Sequence, residues 1–591
     1  MANYKRTHTC GELSESSLDS TVRLSGWVHK RRDLGKLIFI DLRDRFGLTQ
    51  LIFDPTQLSS EVFKCASSLR HEWVISITGT VARRAEGMTN PKLSTGTIEI
   101  QVADVTVLSS AKTPPFEINQ ESTEFSEELR LKYRYLDMRR GGIAKNLVLR
   151  HKTLLLTRNY LSEQGFLEIT TPILAKSTPE GARDYLVPSR VLPGNFYALP
   201  QSPQIFKQLL MVGGMDRYFQ IATCFRDEDL RADRQPEFSQ VDIEMSFETP
   251  DTLMHLIEGL MKKLFSECLG AQISSPFKKI SHAECMERWG CDRPDLRFDM
   301  PLVRIDKIAS KSSFGVFLDV LTQGGCVKAL CVKGGADLSR KEIDSYADFV
   351  KPLGLQGLSW IKMQSDGPSS NIVKFFSSET LQALTSFLGA QIGDLILIAA
   401  ATEAHVNQAL DHLRRKIGKE RGLIDPQALS FLWVVDFPLL RWNEEERRLE
   451  SEHHPFTSPH FDDIPLMESD PLKVRALAYD LVLNGYEIGG GSQRIHSSQL
   501  QEQVFRTLQL SPEDIEEKFG FFVEALQYGT PPHLGIALGL DRIAMLLCGT
   551  DNIRDVIAFP KNQRATDLMM QCPSAVNKTQ LDELGISTTR H

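Results

Sequence analysis

Residues 217–247 read "RYFQIATCFRDEDLRADRQPEFSQVDIEMSF". The two ends, "RYFQIATC" and "SQVDIEMSF", are rich in aromatic and β-branched residues and partly alternate, which predicts two strands. Between them, residues 225–238 form a long tip in which Arg226, Arg231 and Arg234 stand among Asp227, Glu228, Asp229, Asp233 and Glu237. A tight hairpin turn needs Gly, Asn or Ser, and this tip has no glycine. The stretch predicts an antiparallel hairpin whose tip carries both charge signs. A solvated tip is the plain reading, and a loop that holds a charged ligand is the functional one.

Outward from this hairpin, the 591-residue chain is too long for one hydrophobic core and predicts two to four domains. Apolar content of 41% and charged content of 24% are ordinary for a globular protein. No apolar run reaches the ~18 residues of a membrane span, so no membrane partner is expected. The N-terminus "MANYKRTHTCGELSES" has no apolar signal core, and the ten cysteines form no C-x-x-C pair, so a cytoplasmic location with free thiols is expected. His282, Cys285 and Cys291 make at best an incomplete zinc set, and buried structural thiols are the better reading. The net charge of −8 argues against nonspecific coating of nucleic acid. Residues 1–110 hold 14 Lys and Arg against 12 Asp and Glu, so this segment alone is slightly basic and suits a selective nucleic-acid partner.

About five short alternating runs between residues 20 and 108 suggest a small barrel such as an OB-fold, within a first domain of 1–110. Residues 111–140 read as a linker and hinge, opening with the proline pair of "KTPPFEINQ". Residues 141–284 begin with a helical pattern that ends near Gly165, followed by "LEITTPILA" as a strand and then the hairpin. Residues 285–420 alternate strands and helices and read as an inserted α/β module. Residues 421–560 return to strands and to a strand-to-helix junction, and 561–591 form a C-terminal extension.

Three further stretches carry chemistry. In "GIALGLDRIAML" (535–546) a strand runs into a helix, with Gly539 allowing close backbone approach and Arg542 in the first turn, where free N–H groups favour an anion. A surface pair of Arg542 with Asp541 is the alternative. In "QSPQIFKQLLMVGG" (201–214) Ser202 reads as N-cap and Pro203 as the first helical residue, with Gln204, Lys207 and Gln208 on one face. In "YEIGGGSQRI" (486–495) strict alternation separates Glu487 from Arg494, and a bulge at the glycines would return both to one site. The glycine-rich loops of P-loop and Rossmann nucleotide binders are missing.

Together these stretches resemble the class II aminoacyl-tRNA synthetases. "FRDED" with "RQPEF" is similar to motif 2, "LGLDR" to motif 3, and "GFLEITTPIL" with Pro172 to motif 1, which in that class builds a dimer interface. "STPEGARDYLVPSR", "HHPFTSP", "GYEIGGGSQRIH" and "GTDNIRDVIAFPK" bring the resemblance closest to the bacterial-type aspartyl members, across nearly the whole chain. It implies an α+β multidomain protein: an N-terminal OB-fold for the anticodon, a catalytic core on an antiparallel sheet, and an insertion of GAD type around Gly335-Ala336-Asp337.

The implied reaction activates L-aspartate with ATP and passes the aspartyl group to the 3′ end of tRNA-Asp, with tRNA-Asn as an open second acceptor. A homodimer and Mg²⁺ are implied with it. Arg226, Glu228 and Arg542 would be catalytic, with Asp227, Gln235, Glu487, Gly539, Leu540 and Asp541 completing the ATP site. Aspartate would meet Glu180, Gln204, Ile205, Phe206, Lys207, Arg226, Asp242, His453 and Arg494, with His454 sharing the role of His453. Asp480 and Glu487 would hold the metal. Arg32, Phe39, Gln50 and Glu99 would read the anticodon, Phe39 as a stacking ring unless barrel alternation puts it in the core. Leu34 resembles members strict for tRNA-Asp, and Gly87 resembles those that accept both tRNAs. A noncatalytic tRNA-binding relative is the alternative, and it should have lost the catalytic charges.

Overall fold

The computed structural model describes residues 4–119, 124–177 and 181–589. The chain divides into two units, Met1–Val148 with Arg554–Ser574, and Leu149–Ile553 with Ala575–His591.

In the first unit β1 (Thr21–Leu34), β2 (Leu37–Arg43), β3 (Leu48–Phe53), β4 (Val74–Arg83) and β5 (Ile98–Ser109) close a barrel in the order β1-β2-β3-β5-β4. Alternation does the sorting: Ile38, Ile40 and Leu42 point inward with Leu24, Val28, Leu51 and Phe53, and the residues between them face out. The unit is larger than the barrel, because residues 554–574 rejoin it. The buried guanidinium of Arg134 donates to the carbonyls of Arg554, Ile557 and Ala558, satisfying backbone groups that no periodicity announces.

The second unit is built on an eight-stranded sheet. Its strands are β6 (Leu167–Glu168), β7 (Arg217–Phe225), β8 (Glu237–Ser246), β9 (Lys278–Ser281), β10 (Phe431–Val435), β11 (Ala478–Leu483), β12 (Tyr486–Gln493) and β13 (His533–Gly539), ordered β9-β10-β11-β12-β13-β8-β7-β6. The pairs are antiparallel except at the two edges, β9 with β10 and β6 with β7. The predicted hairpin is β7–β8. The strand expected over "LEITTPILA" pairs within this sheet at Leu167–Glu168, with one more bond from Ile169 N–H to Phe219 O, and its last residue, Ala175, bridges Ala198 instead; Pro172, with no N–H, cannot extend the ladder.

Helix α1 (Gln204–Val212) starts one residue later than predicted. Pro203 occupies the cap without a side-chain bond, and Ser202 lines the cavity described below. Helix α2 (Pro250–Leu269) has Thr249 as N-cap, Pro250 in its first turn and left-handed Gly270 at its end. It lays Leu253, Ile257, Leu260 and Leu264 on Val241, Ile243, Trp433, Leu481 and Ile536, the main core of the sheet. Helix α3 (Leu540–Cys548) continues directly from β13.

Residues 303–401 carry a second, five-stranded sheet, in the order Val303–Arg304, Cys326–Val332, Leu395–Ala401, Ser359–Gln364, Gly367–Ser370. Every pairing in it is antiparallel, and helices alternate with its strands along the chain, as expected. Leu330, Leu397, Leu410 and Leu413 belong to a hydrophobic cluster distinct from that under the eight-stranded sheet.

Candidate active site

A cavity of about 710 Å³ opens over the β8–β13–β12–β11 face of the sheet. It is lined by Lys207, Arg226, Glu228, Gln235, His453, Asp480, Glu487, Gly539, Asp541, Arg542 and Arg494, so side chains spread over more than 330 residues of sequence meet at one place.

The charged hairpin tip forms one wall. Its base is closed by Arg226 N–H donating to Pro236 O at 2.9 Å and Asp227 N–H donating to Arg183 O at 3.1 Å. The Arg226 guanidinium lies 5.1 Å from the Phe238 ring centre, and its buried Nε has no protein partner. A cation so stacked keeps its planar fork directed at the cavity rather than folded onto a carboxylate. Glu228 is paired instead with Arg234 at 2.9 Å. Asp233 pairs with Arg542 at 3.3 Å, and Arg542 also donates to Glu487 O at 2.8 Å. The alternative surface pair of Arg542 with Asp541 is therefore not what forms. Asp541 lies below, accepting from Ser239 N–H at 2.7 Å and pairing with Arg150. A Cβ on Gly539 would meet nothing closer than 3.8 Å, so this glycine leaves room on the cavity side instead of allowing two backbones to touch.

At the opposite end four charges interlock. Lys207 Nζ is 2.6 Å from Asp242 Oδ1 and 3.4 Å from Glu244 Oε2. Arg494 makes a bidentate fork to Glu244, Nε to Oε1 at 2.9 Å and Nη2 to Oε2 at 3.1 Å. Its Nη1 donates to Ser492 and, at 3.0 Å, to His454 Nε2. Both acids are fully buried and both cations nearly so. Burial pushes the Asp242 carboxyl up despite Lys207 beside it. Burial also opposes ionisation of Glu244, but Arg494 and Lys207 outweigh it and hold that carboxyl below the usual range.

His453 lines the cavity with an unpartnered Nδ1, edge-on to Phe437 at 5.0 Å. Burial lowers its pKa to about 4, so it is neutral at pH 7. Gln204 also lines the cavity, and its buried Nε2 lacks a partner.

The glycine stretch contains the anticipated bulge. Leu481 faces Gly489 while Val482 faces Glu487, leaving Ile488 as the extra residue, and Glu487 and Arg494 both reach the cavity. A Cβ on Gly490 would stand 2.8 Å from Asp480 Oδ1 and 3.6 Å from Glu487 Oε1, so the two carboxylates converge above a bare backbone. Asp480 Oδ1 is buried without a partner. Burial first, then the Glu487, Asp292 and Glu452 carboxylates, hold its carboxyl well above the usual range. An all-oxygen pair that is short of positive charge fits Mg²⁺ and not a soft metal. Among the described residues no group of three or more His, Cys, Asp and Glu is arranged for a metal. His282 lies tilted against Phe437 with ring centres 5.0 Å apart, Cys285 is buried in a core and Cys291 donates to Asp411.

Some expected residues stand elsewhere. Ile205 packs with Phe456, Phe519 and Phe522, Leu540 belongs to the main core, and Phe206 does not line the cavity. Asp242 stands behind Lys207 and not on the cavity wall. Glu180 lies outside the described residues. Glu244 escaped the sequence reading; the signal was there, since a carboxylate pair at i and i+2 in a strand buried from Gln240 to Ser246 has to find cations.

In the first unit, Arg32 donates to Asp41 at 2.8 Å and to Gln50 at 3.1 Å, and Gln50 donates to Glu99 at 2.8 Å. Phe39 is the cross-strand partner of Arg32 and is half-buried on the outer face, not in the barrel core. Leu34 is 61% exposed beside the Gly35 turn, and Gly87 has φ +79° with open space around it.

The chain matches two family models: "tRNA synthetases class II (D, K and N)" over residues 126–563 and "OB-fold nucleic acid binding domain" over 22–108. It is 63% identical to an aspartate–tRNA(Asp/Asn) ligase of Protochlamydia amoebophila, covering 99% of this chain and 98% of the relative. It is 56% identical to the protein of the same name from Chlamydia caviae, with 99% of each covered. Among solved structures, the asparaginyl-tRNA synthetase of Pyrococcus horikoshii with asparaginyl-adenylate matches with TM-score 0.58 at 19% identity, covering 94% of this chain and 97% of that one. The aspartyl-tRNA synthetase of Entamoeba histolytica gives TM-score 0.58 at 19% identity, covering 95% and 92%. At such identity the two structures speak for the fold.

Proposed function

The chain belongs to the class II tRNA synthetases of the D, K and N group, and on that premise we propose how its cavity works as that of an aspartate–tRNA ligase. The observation that carries the reading is the pair of buried cations, Lys207 and Arg494, on the cavity wall, each backed by a buried carboxylate. A carboxylate side chain placed there completes their hydrogen bonding, whereas an amide of the same size leaves charged donors desolvated and unmatched. Lysine would add a third cation.

The substrate's α-carboxylate oxygen attacks the α-phosphorus of ATP, and pyrophosphate leaves. The 3′-terminal ribose hydroxyl of tRNA then attacks the resulting carbonyl, and AMP leaves. Arg226 faces the oxygens on which charge grows, and Arg542 takes the γ-phosphate at the N-terminus of α3. ATP must displace two placeholders, since Asp233 occupies Arg542 and Arg234 occupies Glu228. Glu228, once released, faces the adenine side, with Gln235 beside it. Asp480 and Glu487 would hold Mg²⁺, which supplies charge neutralisation on the phosphate oxygens. His453 and Gln204 are further aspartate contacts, and Asp242 serves the site by fixing Lys207. Arg226, Glu228, Glu487 and Arg542 all line the cavity, so a noncatalytic relative finds no support.

Arg32, Phe39, Gln50 and Glu99 form the anticodon face: a stacking ring beside an ordered polar chain. We read the tRNA scope as tRNA-Asp and tRNA-Asn together, because the relatives at 56–63% identity carry that double name. A second copy of the chain is the partner for exposed Leu167, Ile173 and Leu174 of the motif 1 stretch. Ten free cysteines suit a reducing cytoplasm. The test is ATP–pyrophosphate exchange with aspartate, asparagine and lysine supplied singly: exchange with aspartate alone is expected, and exchange driven equally by asparagine would overturn the reading.

A further inference from the structure

One fully buried acid, Glu244, does no more in the mechanism above than back Arg494. Glu244 touches no cavity space, yet it contacts both cations of the selective end. It binds Arg494 through Nε and Nη2, while Ser492 and His454 take Nη1. Of the five guanidinium hydrogens, these bonds leave one on Nη2, so the orientation of the fork is set by Glu244. The same carboxylate lies 3.4 Å from Lys207, whose stronger contact is Asp242 at 2.6 Å. Lys207 is thus held between two acids, and Glu244 is the link that sets the spacing of the two cations.

The seat of Glu244 is itself built. Gly535 is its directly opposed partner across β8 and β13. A Cβ at Gly535 would fall 1.8 Å from Glu244 Oε2, so the carboxylate occupies the space where any other residue would have a side chain. The β-carbon position of a neighbouring strand is a rigid reference, and a carboxylate lodged there cannot drift.

We propose that Glu244, seated on Gly535, is a positioning residue for side-chain selection: it fixes the distance and direction of Lys207 and Arg494 so that they match a carboxylate and reject an amide. This rests on the reading that the cavity takes aspartate. Glu244 touches no substrate atom, so its loss acts through Lys207 and Arg494 alone. The ATP end of the cavity, at Arg226 and Arg542, has no bond to it.

The test uses the full-length protein and Glu244→Gln, which keeps the shape and removes the charge, with Glu244→Asp as the conservative variant. ATP–pyrophosphate exchange is measured while aspartate and ATP are varied separately, and asparagine is offered as competitor. For Glu244→Gln the aspartate KM should rise by at least about tenfold, the scale of one charged hydrogen bond lost or misdirected, with the ATP KM within about twofold. The preference for aspartate over asparagine should narrow by a similar factor. Glu244→Asp, with its charge kept and its reach one methylene shorter, should recover part of both. A purely structural acid would instead lower the melting temperature and move both KM values together; that result, or an unchanged aspartate preference, overturns the inference. If Glu244→Gln does not fold, Glu244→Asp carries the same test, with the same split expected at smaller size. A wild-type protein inert toward aspartate overturns the activity reading and this inference with it, whereas an active wild type with an unaffected variant overturns this inference alone.

Discussion

Replacing Lys207 by Met removes one charge and little volume. Lys207 is 2% exposed and contacts Asp242 at 2.6 Å and Glu244 at 3.4 Å, so the change leaves two buried acids and one cation, Arg494. Breaking a buried pair by removing one member costs about 3–5 kcal/mol. The lower end applies, because burial already pushes the Asp242 carboxyl up and it can take a proton once the ammonium is gone. A stability loss of about 3 kcal/mol is expected by urea unfolding, and Lys207→Met with Asp242→Asn should recover most of it. Activity should behave differently. The side-chain carboxylate of aspartate loses one of two charged donors, worth about 1.5–3 kcal/mol in binding, and more once the vacated acid repels it. A fall of about a thousandfold in aspartate-dependent kcat/KM is expected in ATP–pyrophosphate exchange, on the scale of about 4 kcal/mol in the transition state. The double variant should be equally inactive. Unchanged exchange in folded Lys207→Met would refute the assignment of this end of the cavity, and recovery of activity in the double variant would show that Lys207 only balances charge.

Gly490→Ala would put a methyl group 2.8 Å from Asp480 Oδ1; the KM for magnesium-ATP should rise about tenfold or more while the aspartate KM stays nearly constant, as followed by exchange at graded magnesium. Phe39→Ala should leave exchange intact and lower tRNA charging by about tenfold, one stacked base being worth about 1–3 kcal/mol; equal loss of both activities would deny the ring its anticodon role. His453 binds a proton near pH 4 in the folded protein and near its ordinary 6.5 when unfolded. Between these values the unfolded state holds more protons, so stability should rise with pH across that window, and His453→Gln should flatten the slope measured by urea titration.

The sheet was legible where its pattern was local. Aromatic and β-branched content with partial alternation places both strands of the hairpin, while the face of Phe39 is decided only once Ile38, Ile40 and Leu42 are seen to fill the barrel. The bulge was legible too, because three glycines between Glu487 and Arg494 make little sense in a regular strand, and the extra residue is Ile488. What stayed hidden depends on distant partners. Residues 554–574 join the first unit through backbone carbonyls that Arg134 caps, and carbonyls carry no sequence signal. Helix periodicity gives Ile205 a face but not what that face meets, here Phe456 and Phe522. Placeholder pairs such as Glu228 with Arg234 were equally invisible, as any of the loop's acids could have served.

Labelled aspartate, ATP and the purified full-length protein, offered tRNA-Asp and tRNA-Asn transcripts in separate reactions, test the central claim most directly. Acid-stable aspartyl label on both transcripts is the predicted result; no label on either, with aspartate and ATP saturating, would contradict it.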